Sequence, residues 1–143
     1  MDWLRVDGEN IAAGPIERIL ARHPDVALVA VYAVPNADVG DDCMAALILR
    51  PGARFDGAGF AAFLETQRDL GTKMVPRYVR IAESLPSTET NKILKRVLRD
   101  ERWVCGDPVW LRDGAGYRRL EDADRERIDQ TFAARGRTNV LGR

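Results

Sequence analysis

The sequence is poor in the residues from which metal sites and catalytic triads are usually built. Its 143 residues include one histidine, His23, and two cysteines, Cys43 and Cys105, which are far apart and lack CxxC spacing. A zinc site or a disulfide framework needs more thiols or imidazoles at closer spacing. Motifs of a P-loop, a dinucleotide-binding loop, a nucleophile elbow and a zinc protease are also absent. We therefore expect no metal site and interpret both thiols as inert.

The chain also carries no net charge and no long apolar run. Lys plus Arg and Asp plus Glu both number 22, so the formal charge is +0 at pH 7. Such a chain has no overall field that would draw it onto nucleic acid or anionic lipid. Its longest apolar run, 26–35, is about half of the roughly 20 residues that a membrane-spanning helix needs. We expect a cytoplasmic protein with no nucleic acid partner and no transmembrane segment.

Composition and periodicity indicate a globular domain in which helices and strands alternate. Hydrophobic residues make up 45% of the chain and charged residues 31%, and this length suffices for one compact unit. The spacing of apolar residues and the turn signals predict three helices and three strands in the order α-β-β-α-β-α. The predicted helices are 15–22, 55–70 and 93–102, and the predicted strands are 26–34, 43–49 and 78–81.

A separate pattern, which predicts a hairpin and a helix, follows residue 103. Two segments around a glycine-rich turn, 108–112 and 117–120, predict a β-hairpin. The polar segment 121–134 predicts a helix with Phe132 as an apolar anchor, and the residues from Gly136 onward are predicted to be frayed.

The first candidate for chemistry is the polar loop 6–11. Its Gly8 permits a close backbone approach to a ligand or an unusual dihedral angle. The alternative is an ordinary strand-to-helix turn in which Asn10 only caps the helix.

The second candidate is the polar loop 84–95, which carries Lys92 just before a predicted helix. The sequence contains 19 arginines but only three lysines, at positions 73, 92 and 95. A compact ammonium at a loop tip can reach a phosphate or carboxylate as a point charge, where a planar guanidinium does not fit. The alternative is a solvated surface lysine.

Taken together, the two loops resemble the small C-terminal domain of the adenylate-forming superfamily, which includes acyl-CoA synthetases, nonribosomal adenylation domains and luciferase. The segments in the family's order and spacing are Gly8-Glu9-Asn10-Ile11, the helix with Glu17, Val34-Pro35-Asn36, Val75-Pro76-Arg77-Tyr78-Val79, Leu85-Pro86-Ser87-Thr88 and Asn91-Lys92-Ile93. The Gly-Glu-Asn form of the first loop is more typical of acyl-CoA ligases than of amino acid adenylation domains. The tail resembles that of the very-long-chain acyl-CoA synthetase and fatty acid transport protein branch.

The resemblance implies an α+β fold with a small central sheet of about three strands flanked by helices. A short N-terminal hairpin and an appended C-terminal hairpin-helix tail complete the expected fold. The likeness ends near Arg102, so we divide the chain into 1–102, the mobile C-terminal domain, and 103–143, an extension. Two hypotheses concern this extension: it packs back on the domain through its aromatic residues Trp103, Trp110 and Tyr117, or it mediates self-association.

The resemblance also implies a two-step reaction that uses ATP and CoA. In the family, the lysine that matches Lys92 enters the active site during formation of the acyl-adenylate. After a rotation about a hinge adjacent to Asp2, the loop that matches Gly8, Glu9 and Asn10 lines the channel for the pantetheine arm of CoA. The partner would be the protein's own N-terminal domain, which we expect to be absent from this chain and to hold the ATP site, its Mg²⁺ and the acyl pocket.

The sequence departs from the family pattern at two places. The usual Thr-Gly-Lys is here Thr90-Asn91-Lys92, and asparagine tolerates a left-handed backbone, so we expect the loop shape to survive. The aromatic-basic pair before Val-Pro is replaced by Lys73-Met74, so contacts at those positions are not transferred.

Three interpretations therefore remain open. The first is the C-terminal domain of a fatty acyl-CoA ligase, which would be inactive alone. The full-length ligase would be cytoplasmic or peripheral to a membrane. The second is a stand-alone regulatory or partner-binding module, and the third is a ligase domain that loads a carrier protein.

Overall fold

The computed structural model describes residues 2–142, along which seven strands and four α-helices follow one another. In chain order they are β1 (Trp3–Val6), β2 (Glu9–Ala12), α1 (Ala13–Leu20), β3 (Val26–Pro35), β4 (Asp41–Leu49), α2 (Gly57–Glu65), β5 (Tyr78–Ile81), α3 (Lys95–Glu101), β6 (Val109–Asp113), β7 (Gly116–Arg119) and α4 (Asp122–Ala134). Single 3-10 turns lie at Thr72–Met74 and Thr138–Leu141. The α+β prediction is confirmed.

The strands form two sheets. β1 and β2 make the expected N-terminal hairpin, and the other five strands form one sheet in the order β3-β4-β5-β6-β7. All neighbours in the larger sheet are antiparallel except β4 and β5, which are parallel. The three expected strands are present as β3, β4 and β5, and the tail hairpin extends their sheet to five.

The tail joins the sheet because β5 would otherwise be an open edge. β6 pairs with β5 through Val79↔Trp110 and Tyr78↔Leu111. Strand edges with free N–H and C=O groups are normally covered or paired in this way. The division of the chain at residue 102 stays a prediction.

Side chains on the two faces of the sheet form two separate hydrophobic clusters. Along β3, Val31 belongs to one cluster and Ala30 and Tyr32 belong to the other, as the alternation of a strand requires. Residues of the β1–β2 hairpin, α1 and α2 belong to the first cluster, and we call their side of the sheet the hairpin face. Residues of α3 and α4 belong to the second cluster, on the side that we call the α3 face.

The aromatic residues of the tail contribute to both clusters. Trp103 is 1% exposed and stacks on Tyr78, with ring centroids 4.9 Å apart. Trp110 packs against Phe55 on the other side of the sheet, and the hydroxyl of Tyr117 donates to the carbonyl of Pro76 at 2.5 Å. The hypothesis that the tail packs back on the domain through these residues is confirmed.

Two predicted helices are shorter in the structure for local reasons. The predicted helix 55–70 begins after Asp56, whose backbone is extended, and ends at Glu65. The next residue, Thr66, donates its hydroxyl to the carbonyl of Phe63. The predicted helix 93–102 begins only at Lys95 because Ile93 is held in a bridge to Ser87.

The first helix and the end of the chain also differ from the predictions. The predicted helix 15–22 is shifted by two residues, because α1 starts directly after β2 and ends at Leu20. The prediction of fraying is wrong for residues 136–142, since Leu141 is 4% exposed and packs into the cluster of the α3 face. Arg143 lies outside the described residues. No helix within residues 2–142 has the length and apolar character needed to cross a lipid bilayer.

Candidate functional site

Lys92 lies at the end of a closed turn that precedes α3. The amide of Thr88 donates to the carbonyl of Lys92 at 2.8 Å, and the amide of Lys92 donates to the hydroxyl of Thr88 at 3.1 Å. The hydroxyls of Thr88 and Thr90 are 3.0 Å apart. The turn therefore fixes the backbone of Lys92, whereas its side chain is exposed and could reach an external anion.

Asn91 adopts the left-handed backbone expected at the family's glycine position. Its φ angle is 62°, and its amide donates to the carbonyl of Thr88 at 2.9 Å. Asparagine is among the few residues that adopt this conformation routinely. The structure thus has the left-handed backbone on which the expected loop shape depends.

Gly8 lies at the tip of the β1–β2 hairpin. The φ angles of Asp7 and Gly8 are 49° and 80°, as a two-residue hairpin turn of the primed type requires. Apart from the two neighbouring residues in the chain, no atom would lie within 4 Å of a Cβ atom at Gly8, so the space beside it is open. A ligand could approach the backbone closely here.

The alternative interpretation of this loop, a strand-to-helix turn capped by Asn10, is wrong. Oδ1 of Asn10 accepts a hydrogen bond from Nη1 of Arg5 across the hairpin at 3.2 Å. Helix α1 begins after Ala12 without any side-chain cap. The Asp-Gly dipeptide was the signal for a hairpin in the sequence.

The hairpin is attached to a cleft with charged walls. Nζ of Lys73 lies 3.0 Å from Oε1 of Glu9. The cleft beside this pair has a volume of about 470 Å³ and includes Lys73, Arg77, Asp42 and Arg112 of the tail. Arg77 contacts Asp42 at 3.6 Å, and burial raises the pKa of Asp42.

Asp2, the predicted hinge-adjacent residue, is paired with α3. Its Oδ2 lies 2.9 Å from Nζ of Lys95, and its Oδ1 lies 3.7 Å from Nη1 of Arg99. The hydrogen bond from Lys95 lowers the pKa of Asp2. Nζ of Lys95 also lies 2.9 Å from Oε2 of Glu17 in α1.

The structure thus separates the predicted site residues into two groups. Gly8, Glu9 and Asn10 lie on the hairpin, which covers the hairpin face, and Lys92 precedes the helix that covers the α3 face. Asp2 directly precedes β1 of the hairpin, and its side chain contacts Lys95 of α3. Sequence reasoning did not assign roles to Lys73 and Lys95, although the scarcity of lysine had singled them out.

The two thiols show no features of a reactive centre. Cys43 is 3% exposed within a hydrophobic cluster, and Cys105 is half-buried, and neither is in a disulfide. Burial raises the pKa of both thiols, which disfavours the thiolate. Within residues 2–142, no group of three or more His, Cys, Asp or Glu side chains could hold a metal ion.

Comparison with known proteins identifies the class of domain that this fold and these loops define. The family described as the AMP-binding enzyme C-terminal domain matches residues 15–92, more than half of the chain. The chain therefore belongs to this family, and the resemblance found in the sequence is confirmed.

Two relatives of this chain are CoA ligases. The chain is 48% identical over 143 residues to the steroid-22-oyl-CoA synthetase of Rhodococcus jostii, covering 98% of this chain and 26% of that protein. It is 58% identical over 113 residues to the medium/long-chain-fatty-acid–CoA ligase FadD17 of Mycobacterium marinum, covering 78% of this chain and 22% of the ligase. The chain thus spans about a quarter of the length of these relatives.

Solved structures agree with the fold over about 70% of the chain. Apo MatB from Rhodopseudomonas palustris aligns with a TM-score of 0.64 and 31% identity, covering 69% of this chain and 19% of that one. A Mycobacterium tuberculosis fatty acyl CoA synthetase aligns with a TM-score of 0.62 and 29% identity, covering 71% and 20% respectively.

Proposed function

We propose that this chain is the C-terminal lid domain of an ATP-dependent, AMP-forming fatty acyl-CoA ligase. The observation that carries the proposal is the placement of Lys92 and the Gly8 hairpin on elements that cover opposite faces of the sheet. A domain with this arrangement can present one loop or the other to a shared active site by rotating. Its family membership and its named relatives support the same assignment.

Lys92 is proposed to act in the first half-reaction. A carboxylate oxygen of the fatty acid attacks the α-phosphorus of ATP, an acyl-adenylate forms, and pyrophosphate leaves. Two anions must approach each other in this step, and a positioned cation lowers that barrier. The closed turn around Thr88 fixes the backbone from which the Lys92 ammonium reaches this charge.

The hairpin is proposed to act in the second half-reaction. The sulfur of CoA attacks the acyl carbonyl carbon, AMP leaves, and the thiol proton passes to solvent. Gly8, Glu9 and Asn10 would line the channel for the pantetheine arm, and the open space beside Gly8 would leave room for it. Turnover with a holo-carrier protein but not with CoA would show that the acyl acceptor is a carrier protein.

The partner of the domain is proposed to be a large N-terminal domain of the same protein. That domain would supply the acyl pocket, the ATP site and its Mg²⁺, and the isolated chain would be inactive. This chain spans only about a quarter of the length of these relatives, which supports such a partner. A cytoplasmic location also stays a prediction.

The test is a Lys92→Ala substitution in the full-length protein that carries this chain. We expect acyl-adenylate formation, measured by pyrophosphate release, to be abolished, while thioester formation from supplied acyl-adenylate is spared. Arg96→Ala is the matched control, because Arg96 is an exposed cation four residues further along the chain. Equal loss of both half-reactions in Lys92→Ala would contradict the assignment.

A further inference from the structure

Lys95, the first residue of α3, joins the two faces of the sheet. Its Nζ lies 2.9 Å from Oδ2 of Asp2 and 2.9 Å from Oε2 of Glu17, and only 15% of its side chain is exposed. An ammonium with two carboxylates at this distance and little access to water is fixed in position. The side chains of Asp2 and Glu17 are 44% and 25% exposed, so salt screens the Glu17 pair less than the Asp2 pair.

Glu17 carries this contact to the sheet itself. The same oxygen, Oε2, accepts the backbone N–H of Val31 at 2.9 Å, and Val31 lies in the edge strand β3. Helix α1 covers the hairpin face and α3 covers the α3 face, so the Lys95–Glu17 pair passes around the open edge of β3. Both helices are thereby held at one point of the sheet.

Lys95 is also connected to the Lys92 turn through a short, bonded segment. Ile93 is bridged to Ser87, and the amide of Leu94 donates to the carbonyl of Pro86 at 2.8 Å. A displacement of the start of α3 would therefore be transmitted to Lys92. Small displacements of a catalytic group can cost about a hundredfold in rate.

We propose that Lys95 is a positioning residue for Lys92: its ion pairs with Asp2 and Glu17 hold the Lys92 turn in register with the hinge. The inference rests on the proposed function, in which Lys92 serves adenylation. It adds a residue that touches no substrate and nevertheless affects one half-reaction more than the other. A purely structural Lys95 would affect both half-reactions together.

The experiment uses Lys95→Met in the full-length protein, because methionine keeps the aliphatic length and removes the charge. We expect kcat for pyrophosphate release to fall about tenfold with KM for ATP and fatty acid nearly unchanged. Thioester formation from supplied acyl-adenylate should change less than about twofold. Lys95→Arg, which restores the charge and can still pair with carboxylates, should recover adenylation to within about threefold of wild type.

Arg96→Met is the matched control for the loss of one cation from α3. Arg96 is exposed and adjacent in sequence to Lys95, so its loss should leave both half-reactions unchanged. A double-mutant cycle of Lys95→Met and Asp2→Asn tests the coupling, and we expect the double variant to be no slower than the slower single variant. Additive effects of the two substitutions would overturn the proposed link.

Lys92→Ala, measured in parallel, separates the two levels of the proposal. If Lys92→Ala leaves adenylation intact, the proposed function itself fails. The positioning role alone is overturned if Lys92→Ala abolishes adenylation while Lys95→Met slows both half-reactions equally or slows neither of them.

If thermal unfolding shows that Lys95→Met does not fold, Asp2→Asn is measured in its place, because Asp2 is partly exposed. A selective loss of adenylation in Asp2→Asn supports the positioning role, and an equal loss of both half-reactions overturns it.

Discussion

Nζ of Lys73 lies 3.0 Å from Oε1 of Glu9, which joins the Gly8 hairpin to a residue 64 positions further along the chain. The side chains of Lys73 and Glu9 are 35% and 63% exposed. An ion pair with this exposure adds little to the free energy of unfolding. Its main consequence is the orientation of the hairpin relative to the cleft beside Arg77.

Breaking this ion pair should therefore affect the second half-reaction, thioester formation, more than the free energy of unfolding. We expect Glu9→Gln and Lys73→Met each to change the free energy of unfolding by less than about 1 kcal/mol. Both should slow thioester formation from supplied acyl-adenylate, and the double variant should be no slower than the slower single variant. Asp69→Asn, which breaks the exposed Arg22–Asp69 pair elsewhere, is the control and should leave this rate unchanged. Additivity of the two changes would show that the pair is not coupled.

Substitutions of Gly8 distinguish its backbone from the space beside it. Gly8→Ala should cost about 1 kcal/mol in the free energy of unfolding because its φ is 80°, and Gly8→Asn should cost less. If the open space admits the pantetheine arm, both variants should slow thioester formation, which is measured with supplied acyl-adenylate. Gly52→Asn, at another turn with φ of 82° and open surroundings, is the matched control. A wild-type rate of thioester formation in Gly8→Asn would contradict a role for the open space and would leave only the backbone conformation of Gly8 as its contribution.

Asn91 provides a test of the Lys92 turn. Its φ angle is 62°, which glycine adopts without strain, so Asn91→Gly should keep this backbone. In Asn91→Ala the same backbone should cost about 1 kcal/mol. We expect Asn91→Gly to adenylate at the wild-type rate and Asn91→Ala to do so more slowly, by pyrophosphate release. Equal rates in the two variants would argue against a fixed turn.

The buried carboxylate of Asp124 should make the tail sensitive to acid. Asp124 is 4% exposed and accepts two hydrogen bonds of 2.8 Å from Arg118, which lower the pKa of Asp124. The amide of Glu121 donates to the same carboxylate at 2.9 Å and also lowers this pKa.

Because the folded pKa of Asp124 lies below the unfolded value of about 4, its contribution is complete above pH 4. That contribution is lost as the pH falls through the folded pKa. Asp124→Asn should therefore lower stability at pH 7 and weaken the loss of stability below about pH 4, measured by urea unfolding. Asp113→Asn removes the other, exposed partner of Arg118 and should retain the acid sensitivity.

The contribution of Trp103 shows whether the tail shares the core of the domain. Trp103→Ala removes a ring that is 1% exposed, so we expect it to cost about 3 to 5 kcal/mol in the free energy of unfolding. Trp3→Ala is the control with the same chemistry, since Trp3 is 56% exposed. Urea unfolding that shows equal costs for both would contradict the packing of the tail.

Local features were predictable because they depend on neighbours in the sequence. The strand Tyr78–Ile81 was predicted with its observed bounds. The left-handed Asn91 followed from the family's glycine at that position and from the tolerance of asparagine for this backbone. The ends of the helices were predicted less accurately, because they depend on contacts outside the helix. One such contact is the bridge between Ser87 and Ile93, which holds Ile93 out of α3.

The candidate site was predictable only in part. The resemblance singled out Lys92, Gly8 and Asp2, and lysine scarcity drew attention to Lys95, but no spacing rule assigns partners to a lysine. The partners of Lys95 are 93 and 78 positions away, at Asp2 and Glu17, so they are found only after the sheet has formed.

The sequence by itself determined the family, the α+β character and the two loops, because motif order, periodicity and turn chemistry are local properties. Tertiary structure alone decided that the tail hairpin pairs with β5 and that Lys95 connects the two faces of the sheet. The physical reason is that strand pairing and ion pairs between distant segments depend on the packing of the whole chain. Local preferences select the elements, and burial of both faces of the sheet selects their partners.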